Sequence, residues 1–476
     1  MIFLIFPTQL YNDIKILYDF KKVYLLEEPR YFTDFNFHKL KLAYHHATMK
    51  KYYDYLKTKD INVSYINFDK VTKTFYKSLK EVTFYDPYDN KLNEKLKKIL
   101  KCNILPQKQF LLTNKEIEEN KEIFYKKNKY HNDLFYKFMR KKLNILVDVN
   151  GNPEGKRWSF DTDNRKLLPK EINIPDIPKI NKNKYIIEAI EYININFKNN
   201  YGSLDNFIYP IDHNSSIDWL NNFLEKKLNN FGPYEDAVDT NHNFIFHSVL
   251  TPMMNIGLLT DIEVVNKSVE YYKNHKIKIE SFEGFIRQII GWRTYIYTIY
   301  ILDGKQLYKS NQLNNKKKIS DKWWKSINIE PIDYLIDKII KYAYVHHIER
   351  LMYLSNWMLM NNINPKEVYR IFMEWTIDAY EWVMIPNVFG MGQFSSNIMM
   401  TRPYFSSSNY ILKMSNFKKG EWCLIWDAVY YSFINKNKKL LASNYATAMQ
   451  VKHWNNKTKK EQDELIIIAN KYNKMI

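Results

Sequence analysis

The feature that most restricts this chain is a change of hydrophobic period along its length. From about residue 184 onward, apolar residues recur at i, i+3 and i+4. They do so through SSIDWLNNFLEKKL, SFEGFIRQIIGWRTYIYTIYIL, DYLIDKIIKYAYVHHIERLMYLSNWML and NPKEVYRIFMEWTIDAYEW. That spacing puts one apolar face on each helix, so residues 184–476 are expected to form a large α-helical domain. Asn364 followed by Pro365 suits an N-cap and first helical residue. Before about residue 135 the pattern differs. MIFLIF, KKVYLLEE, INVSYINF and EVTFYD are short apolar runs, with FHKLKLAYHHATMKKYYDYLK as a helical insert. Such alternation predicts βαβ units and a parallel sheet, an α/β domain over residues 1–135. Residues 136–183 are rich in Gly, Pro, Asn and Asp and read as a connector, although it holds the dense string RWSFDTDNRK.

Composition narrows the class. With 45% hydrophobic and 16% aromatic residues in 476, the chain has ample material for more than one core. Its only cysteines, Cys102 and Cys423, exclude a disulfide scaffold. No stretch reaches the ~18–20 apolar residues a membrane-crossing helix needs. MIFLIFPTQL carries neither a basic start nor a small-residue cleavage site. It reads as a buried strand of a soluble, intracellular, monomeric protein. The net charge of +19 attracts polyanions, nucleic acid first, although abundant Lys beside Asn, Ile and Tyr weakens that inference.

Polar residues inside apolar helices carry the functional signal. Helix 281–302 holds Glu283, Arg287, Gln288, Trp292 and Arg293. Helix 341–360 holds His346, His347, Arg350 and Asn356, and helix 366–382 holds Glu374, Asp378 and Glu381. Buried alone, each would cost a few kcal/mol. Two readings stay open: these groups pair across a bundle, for instance Arg350 with Asp378, or they enclose a polar ligand. FHSVLTPMMN (246–255) favours the ligand, because Ser248 and Thr251 place hydroxyls at a helix start where a phosphate would sit.

Six segments in series resemble the cryptochrome/photolyase family, in its bacterial iron–sulphur (6-4) photolyase branch. They are RWSFDTDNRKLLP (157–169), FHSVLTPMMNIGLL (246–259), FEGFIRQIIGWRTYIYTIY (282–300), YAYVHHIERLM (342–352), YEWVMIPNVFGMGQF (380–394) and RPYFSSSNYILKMS (402–415). PTQL, LLEE and HKLKLAYHHATM resemble that branch's Rossmann-like antenna domain. The resemblance implies FAD in the helical domain and UV-damaged DNA as partner. Ser248, Leu250 and Thr251 would hold the diphosphate, and Glu283 and Arg287 would line the FAD site. Arg350 and Asp378 would form a salt bridge beside the flavin, with Asn356 nearby. Trp292 would wall the lesion pocket, Lys166 and Tyr404 would lie near DNA, and His346 and His347 would face the lesion. The implied reaction is light-driven repair of (6-4) photoproducts, with a histidine as proton donor because its pKa lies near neutrality. A blue-light photoreceptor on the same fold is the alternative.

The chain departs from that pattern in several places. Of the branch's four cluster cysteines only Cys423 has a counterpart; Pro331 occupies the first position and the later region is shortened. One thiolate does not hold a four-ligand cluster, so no iron–sulphur cluster is expected, and Trp422 and Trp426 are candidate replacements. Met384 stands opposite flavin N5, where the branch has an acidic residue, and Thr294 replaces a glutamate. In the electron-feeding chain Trp323 matches, Ile371 and Phe372 replace redox-active residues, and Trp375 and Trp382 are possible substitutes. A ribolumazine-type antenna is an open possibility.

Overall fold

The computed structural model describes residues 1–475. Its first lobe is a five-stranded parallel sheet of β1 (Ile2–Ile5), β2 (Lys22–Leu26), β3 (Val63–Ile66), β4 (Val82–Tyr85) and β5 (Cys102–Leu105). The strands lie in the order β3-β2-β1-β4-β5. In register, Phe3 opposes Val23 and Thr83, and Val23 opposes Val63. The central strands β1 and β4 are buried on both faces, as a sheet flanked by helices requires, whereas the edge strands are half-exposed. Four of the five strands match the apolar runs of the sequence. The fifth, CNIL, is too short and too polar to announce itself.

The order reverses between β1 and β4, the switch point where such sheets usually bind ligands. Here the chain fills that place itself. Gln9 Nε2 donates to Tyr85 O at 2.6 Å, the Tyr88 hydroxyl donates to Thr8 O, and Leu10 N donates to Ile256 O of the helical lobe at 2.9 Å. Glu27, at the end of β2, accepts from His46 Nδ1, the Tyr65 and Tyr192 hydroxyls and Phe68 N, all within 3.0 Å. Glu28 is engaged by Tyr76 and Lys95.

The helix α1 (Lys39–Thr58) is buried over every residue from Leu40 to Met49. It lies between the sheet and the second lobe, packed on α2 (Lys184–Asn196). That position explains why Lys41, His45 and His46 are buried in a helix with no clear polar face. The second lobe is helical and includes α3 (Leu228–Tyr234), α4 (Ile279–Ile286), α5 (Thr294–Lys309), α6 (Glu330–Tyr342), α7 (Pro365–Trp375), α8 (Glu381–Ile385), α9 (Glu421–Lys436) and α10 (Lys459–Met475). Asn364 caps α7 by accepting from Lys366 N, with Pro365 at its first turn, as the sequence suggested. One apolar interior runs through both lobes, from Phe3 to Tyr472.

Two helices expected to be regular, 281–302 and 341–360, contain π-helical turns, and a third such turn follows α8. Arg287–Arg293, Glu349–Ser355 and Pro386–Gly392 are π-helical turns, a form concentrated at functional sites. The expected helix 341–360 breaks where Ala343 takes a left-handed conformation (φ 51°), ending α6, and the helix resumes at His347. His346 caps that restart: Arg350 N donates to its carbonyl, and its own N–H donates to Glu349 Oε2 at 2.9 Å. The expected helix 366–382 is interrupted at residues 376–380, so Asp378 sits on a link, not on a helix face.

Near Cys423, tryptophans fill the interior. Trp357 lies 4.8 Å from Trp426 and 5.6 Å from Tyr472, and Trp422 lies 6.1 Å from Trp426. Trp426 Nε1 donates to Ser406 O at 2.9 Å, so this packing also fixes the FSSSN segment.

The lobes are locked by Arg30, buried between Asp89 (2.8 Å) of the first and Glu381 (2.5 Å) of the second. Removing one member of such a group strands buried charge. Arg30→Met is therefore expected to destabilise the protein by about 3–5 kcal/mol, measured by urea denaturation.

Candidate functional site

Asp378 joins separate segments of the helical lobe. Its Oδ1 receives Arg350 Nη2 at 2.9 Å, and its Oδ2 receives the Thr251 hydroxyl at 2.8 Å. Asn255 Nδ2 donates to the Asp378 carbonyl at 2.7 Å. From Asn255 the chain of contacts continues through Arg293 to Asp261, and Gln109 of the sheet lobe closes it. Lys41 reaches the same place from α1, donating to Ala379 O (2.5 Å) and Met373 O (3.2 Å). Burial drives the Lys41 ammonium down to about 7, while Asp378 pulls it the other way. The expected Arg350–Asp378 pair is present, whereas Thr251, expected at a diphosphate, turns its hydroxyl to Asp378, and Lys41 had not been singled out.

The segment FHSVLTPMMN holds a strained turn. Val249 has φ of 52°, rare for a β-branched residue and worth about 1–3 kcal/mol of strain. Strain of this kind persists where the surroundings over-determine the backbone: Trp219 Nε1 donates to Ser248 O at 2.8 Å, and Leu250 is buried. The turn brings His247 to one side and Thr251 to the other.

A second group joins the π turn after α4 to the connector. Glu283 is fully buried and accepts from the Tyr136 hydroxyl (2.8 Å) and Phe160 N (3.1 Å). Arg287 lies 3.3 Å from Glu283, 3.1 Å from Asp161 and 3.2 Å from Glu235. RWSFDTDNRK is thus no passive linker, since Phe160 and Asp161 complete this cluster. Burial pushes the Glu235 carboxyl up to about 7, against the pull of Arg287.

His346 and His347 meet a third imidazole. The His247 ring stacks on His346 at 4.0 Å and 16°, and stands edge-on to His347 at 5.8 Å and 66°. His247 Nε2 donates to Glu235 O at 2.8 Å. His347 Nε2 donates to Asp236 Oδ1 at 3.2 Å, and its side chain is 47% exposed. Glu349, beside His346, is held by Lys338 Nζ at 2.8 Å. Burial holds His346 and His247 well below the ordinary histidine range, helped by the positive charges around them. For His347 burial acts in the same direction, but the hydrogen bond and charge of Asp236 and the charge of Glu235 outweigh it and raise the pKa. Solvent at this half-open rim moderates both effects. The surroundings thus favour the charged form of His347 and disfavour that of the other two rings.

Glu235 ties this cluster to Arg287, and Arg350 ties it to Asp378 by donating to Val345 O at 3.1 Å. Several buried polar atoms around these groups have no hydrogen-bond partner in the protein: Glu235 Oε2, His346 Nδ1 and Arg350 Nε. Native interiors rarely leave such atoms unsatisfied, and their presence here fits a polar ligand.

Other expected residues stand apart. Asn356 is saturated by Ser406, donating to its hydroxyl and accepting its N–H. Met384 is buried, Trp292 and Tyr404 are half-buried, and Lys166 is exposed. Trp382 packs edge-on to Phe110 at 4.6 Å under the Arg293 guanidinium. Trp375 meets Trp324 at 4.3 Å, and Trp324 stacks on Tyr201 at 4.1 Å. Trp324, the second Trp of DKWWK, therefore makes the contact with Trp375, while Trp323 is buried beside it. Of the missed residues, His247 and Glu349 lay inside segments already singled out. Glu235 and Asp236 followed a short helix with no distinguishing pattern.

Residues 3–209 match the family model of deoxyribodipyrimidine photo-lyase-related proteins. A (6-4) photolyase of Agrobacterium fabrum is 34% identical over 335 residues, 68% of this chain and 66% of that protein. An uncharacterised protein of Acanthamoeba polyphaga mimivirus is 50% identical over 88 residues, 18% of this chain and 72% of that protein. Among solved structures, a bacterial class III photolyase from Agrobacterium tumefaciens superposes with a TM-score of 0.59 at 11% identity, covering 99% of this chain and 98% of that one. An archaeal photolyase from Sulfolobus tokodaii, solved with two FAD molecules, gives a TM-score of 0.51 at 12% identity over the whole of both chains. These two likenesses concern the fold. Together with the 34% identity and the family model, they place the chain in the cryptochrome/photolyase family.

Proposed function

We propose that this chain binds FAD in its helical lobe and uses light to repair (6-4) pyrimidine photoproducts in DNA. The observation that carries the reading is one half-exposed, acid-paired histidine, His347. It shares a continuous polar network with the Arg350–Asp378 pair and several unpartnered buried atoms. The residues fit the cofactor. Arg350, Asp378, Glu283, Arg287 and Thr251 would hold it, the strained turn at Val249 presenting Ser248, Leu250 and Thr251 to its diphosphate. When bound and reduced, FAD supplies the light-excited electron that opens such lesions and takes it back, so no net oxidation occurs.

The chain's own residues supply the rest. His347, its Nε2–H held by Asp236 and its charged form favoured by that carboxylate, would donate a proton from Nδ1 as the lesion gains charge, and recover it when the product forms. His346 remains neutral and shapes the wall. Reaching the site requires the damaged nucleotide to leave the stack, which costs a few kcal/mol and is easier for a lesion than for an intact pair. The +19 surface supplies sequence-independent grip on the phosphates. Trp375, Trp324 and Tyr201 run from the interior to the surface and offer a path by which a thiol reductant in solution restores the reduced cofactor. The names of the (6-4) photolyase relative and of the FAD-containing archaeal photolyase support this reading.

Blue light on the reduced protein is expected to clear (6-4) lesions from a defined oligonucleotide, followed by chromatography. His347→Ala should lower that rate by about 10²–10⁴-fold, the usual worth of a general acid. A flavin that responds to blue light while no lesion is lost would favour the photoreceptor alternative, for which buried Met384, unable to relay a proton, is the supporting feature. Trp324→Phe is expected to slow photoreduction by thiol about tenfold, equivalent to ~1.4 kcal/mol in barrier.

Glu235 gives a pH prediction. Its pKa is raised from the ordinary 4.5 to about 7, so its contribution to stability is complete below the ordinary value and is lost as pH rises through about 7. Between about pH 5 and 8 this loss amounts to at most ~3 kcal/mol by linkage. Glu235→Gln, uncharged throughout, should flatten the pH dependence of urea unfolding over that window.

A further inference from the structure

His247 belongs to no role described so far, yet it is the element that orders the histidine cluster. It enters two residues before the strained turn at Val249. A carbonyl oxygen only accepts, so the contact with Glu235 O at 2.8 Å fixes the proton on His247 Nε2. The ring is thereby set as a neutral tautomer whose face covers His346 at 4.0 Å. Two imidazolium ions at that spacing would repel strongly in a buried place. The ring also excludes water from His346, whose Nδ1 is buried without a partner.

The surrounding charges divide the three rings. His347 is faced by Asp236 and Glu235 after α3, by Arg287 of the π turn, and by the other two histidines. His346 is faced by Lys338 of α6, by Arg350, and by Glu349 at 3.6 Å. His247 is faced by Lys338 and Lys227 and by His347. Asp236 in direct contact and Glu235 nearby thus favour a charge on His347, while burial and the neighbouring cations oppose one on His247 and, despite Glu349, on His346, whose own acid neighbour is held by Lys338.

We propose that His247 is a positioning residue: its stacked ring holds His346 neutral and in place, and so confines the site's exchangeable proton to His347. The assignment rests on the repair reading for its purpose, but its physical content does not require repair to occur.

The test uses the full-length, flavin-loaded protein labelled at histidine ring carbons and nitrogens, titrated by NMR around neutral pH. Signals are assigned with His346→Gln and His347→Gln. In the wild type, His347 alone of the three rings should titrate. In His247→Ala, His346 should begin to titrate as a second ring, with its midpoint raised by about one unit, a tenfold change in its protonation ratio. His247→Phe, which restores a ring over His346, should return the profile to a single titrating ring. The acid limb of the repair rate should move in the Ala variant and return in the Phe variant, while affinity for lesion DNA stays constant. The proposal is overturned if His247→Ala titrates like the wild type or if His247→Phe behaves like His247→Ala. It is also overturned if either variant loses DNA affinity and fold together, since the role would then be merely structural. A wild type that titrates as expected but repairs nothing would contradict the repair reading and leave this one standing.

Discussion

Asp378 is the interaction on which the rest of the site depends. It is a buried carboxylate on a link between α7 and α8, held by Arg350 and by Thr251 and Asn255 of one short helical turn, two distant parts of the chain. Each of those partners belongs to a functional segment. Arg350 fixes the start of the helix that presents His347. Thr251 ends the strained turn that carries His247. Asn255 passes the restraint to Arg293, Asp261 and finally Gln109 in the sheet lobe. A single buried charge thus sets the mutual position of the histidine cluster, the turn suited to phosphate, and the lobe boundary. Buried ion pairs are poor sources of net stability, so this one is better understood as fixing geometry.

The sheet lobe serves that geometry directly. Lys41 and Arg30 both cross the boundary, and each ends on the segment around Asp378 and Glu381. The switch point of the sheet and the carboxylates of LLEE are occupied by the chain's own side chains. In this protein the first lobe is a buttress for the helical site.

Much of this was legible in the sequence, and the failures have physical reasons. Period alone separated the α/β lobe from the helical one, and four strands stood out as apolar runs. Arg350 and Asp378 could be paired because lone charges in apolar helices need partners. What period could not show was irregularity: π turns and the break at Ala343 keep an i, i+3, i+4 pattern while changing where side chains point. His346 therefore sits at a helix start, not on a helix face. His247 was hidden because one histidine beside a helix entry carries no pattern of its own. Trp324 was passed over for Trp323 because two adjacent tryptophans cannot be told apart without knowing which one faces α7.

The central claim is that the Asp378 network is the bed of a bound flavin. It is tested most directly by the visible absorption and released-flavin content of the purified protein and of Asp378→Ala, with folding followed by circular dichroism. This account predicts FAD bound in stoichiometric amount to the wild type and lost from a still-folded Asp378→Ala. A colourless wild type that takes up no added FAD, or an Asp378→Ala variant that retains it undiminished, would contradict the account.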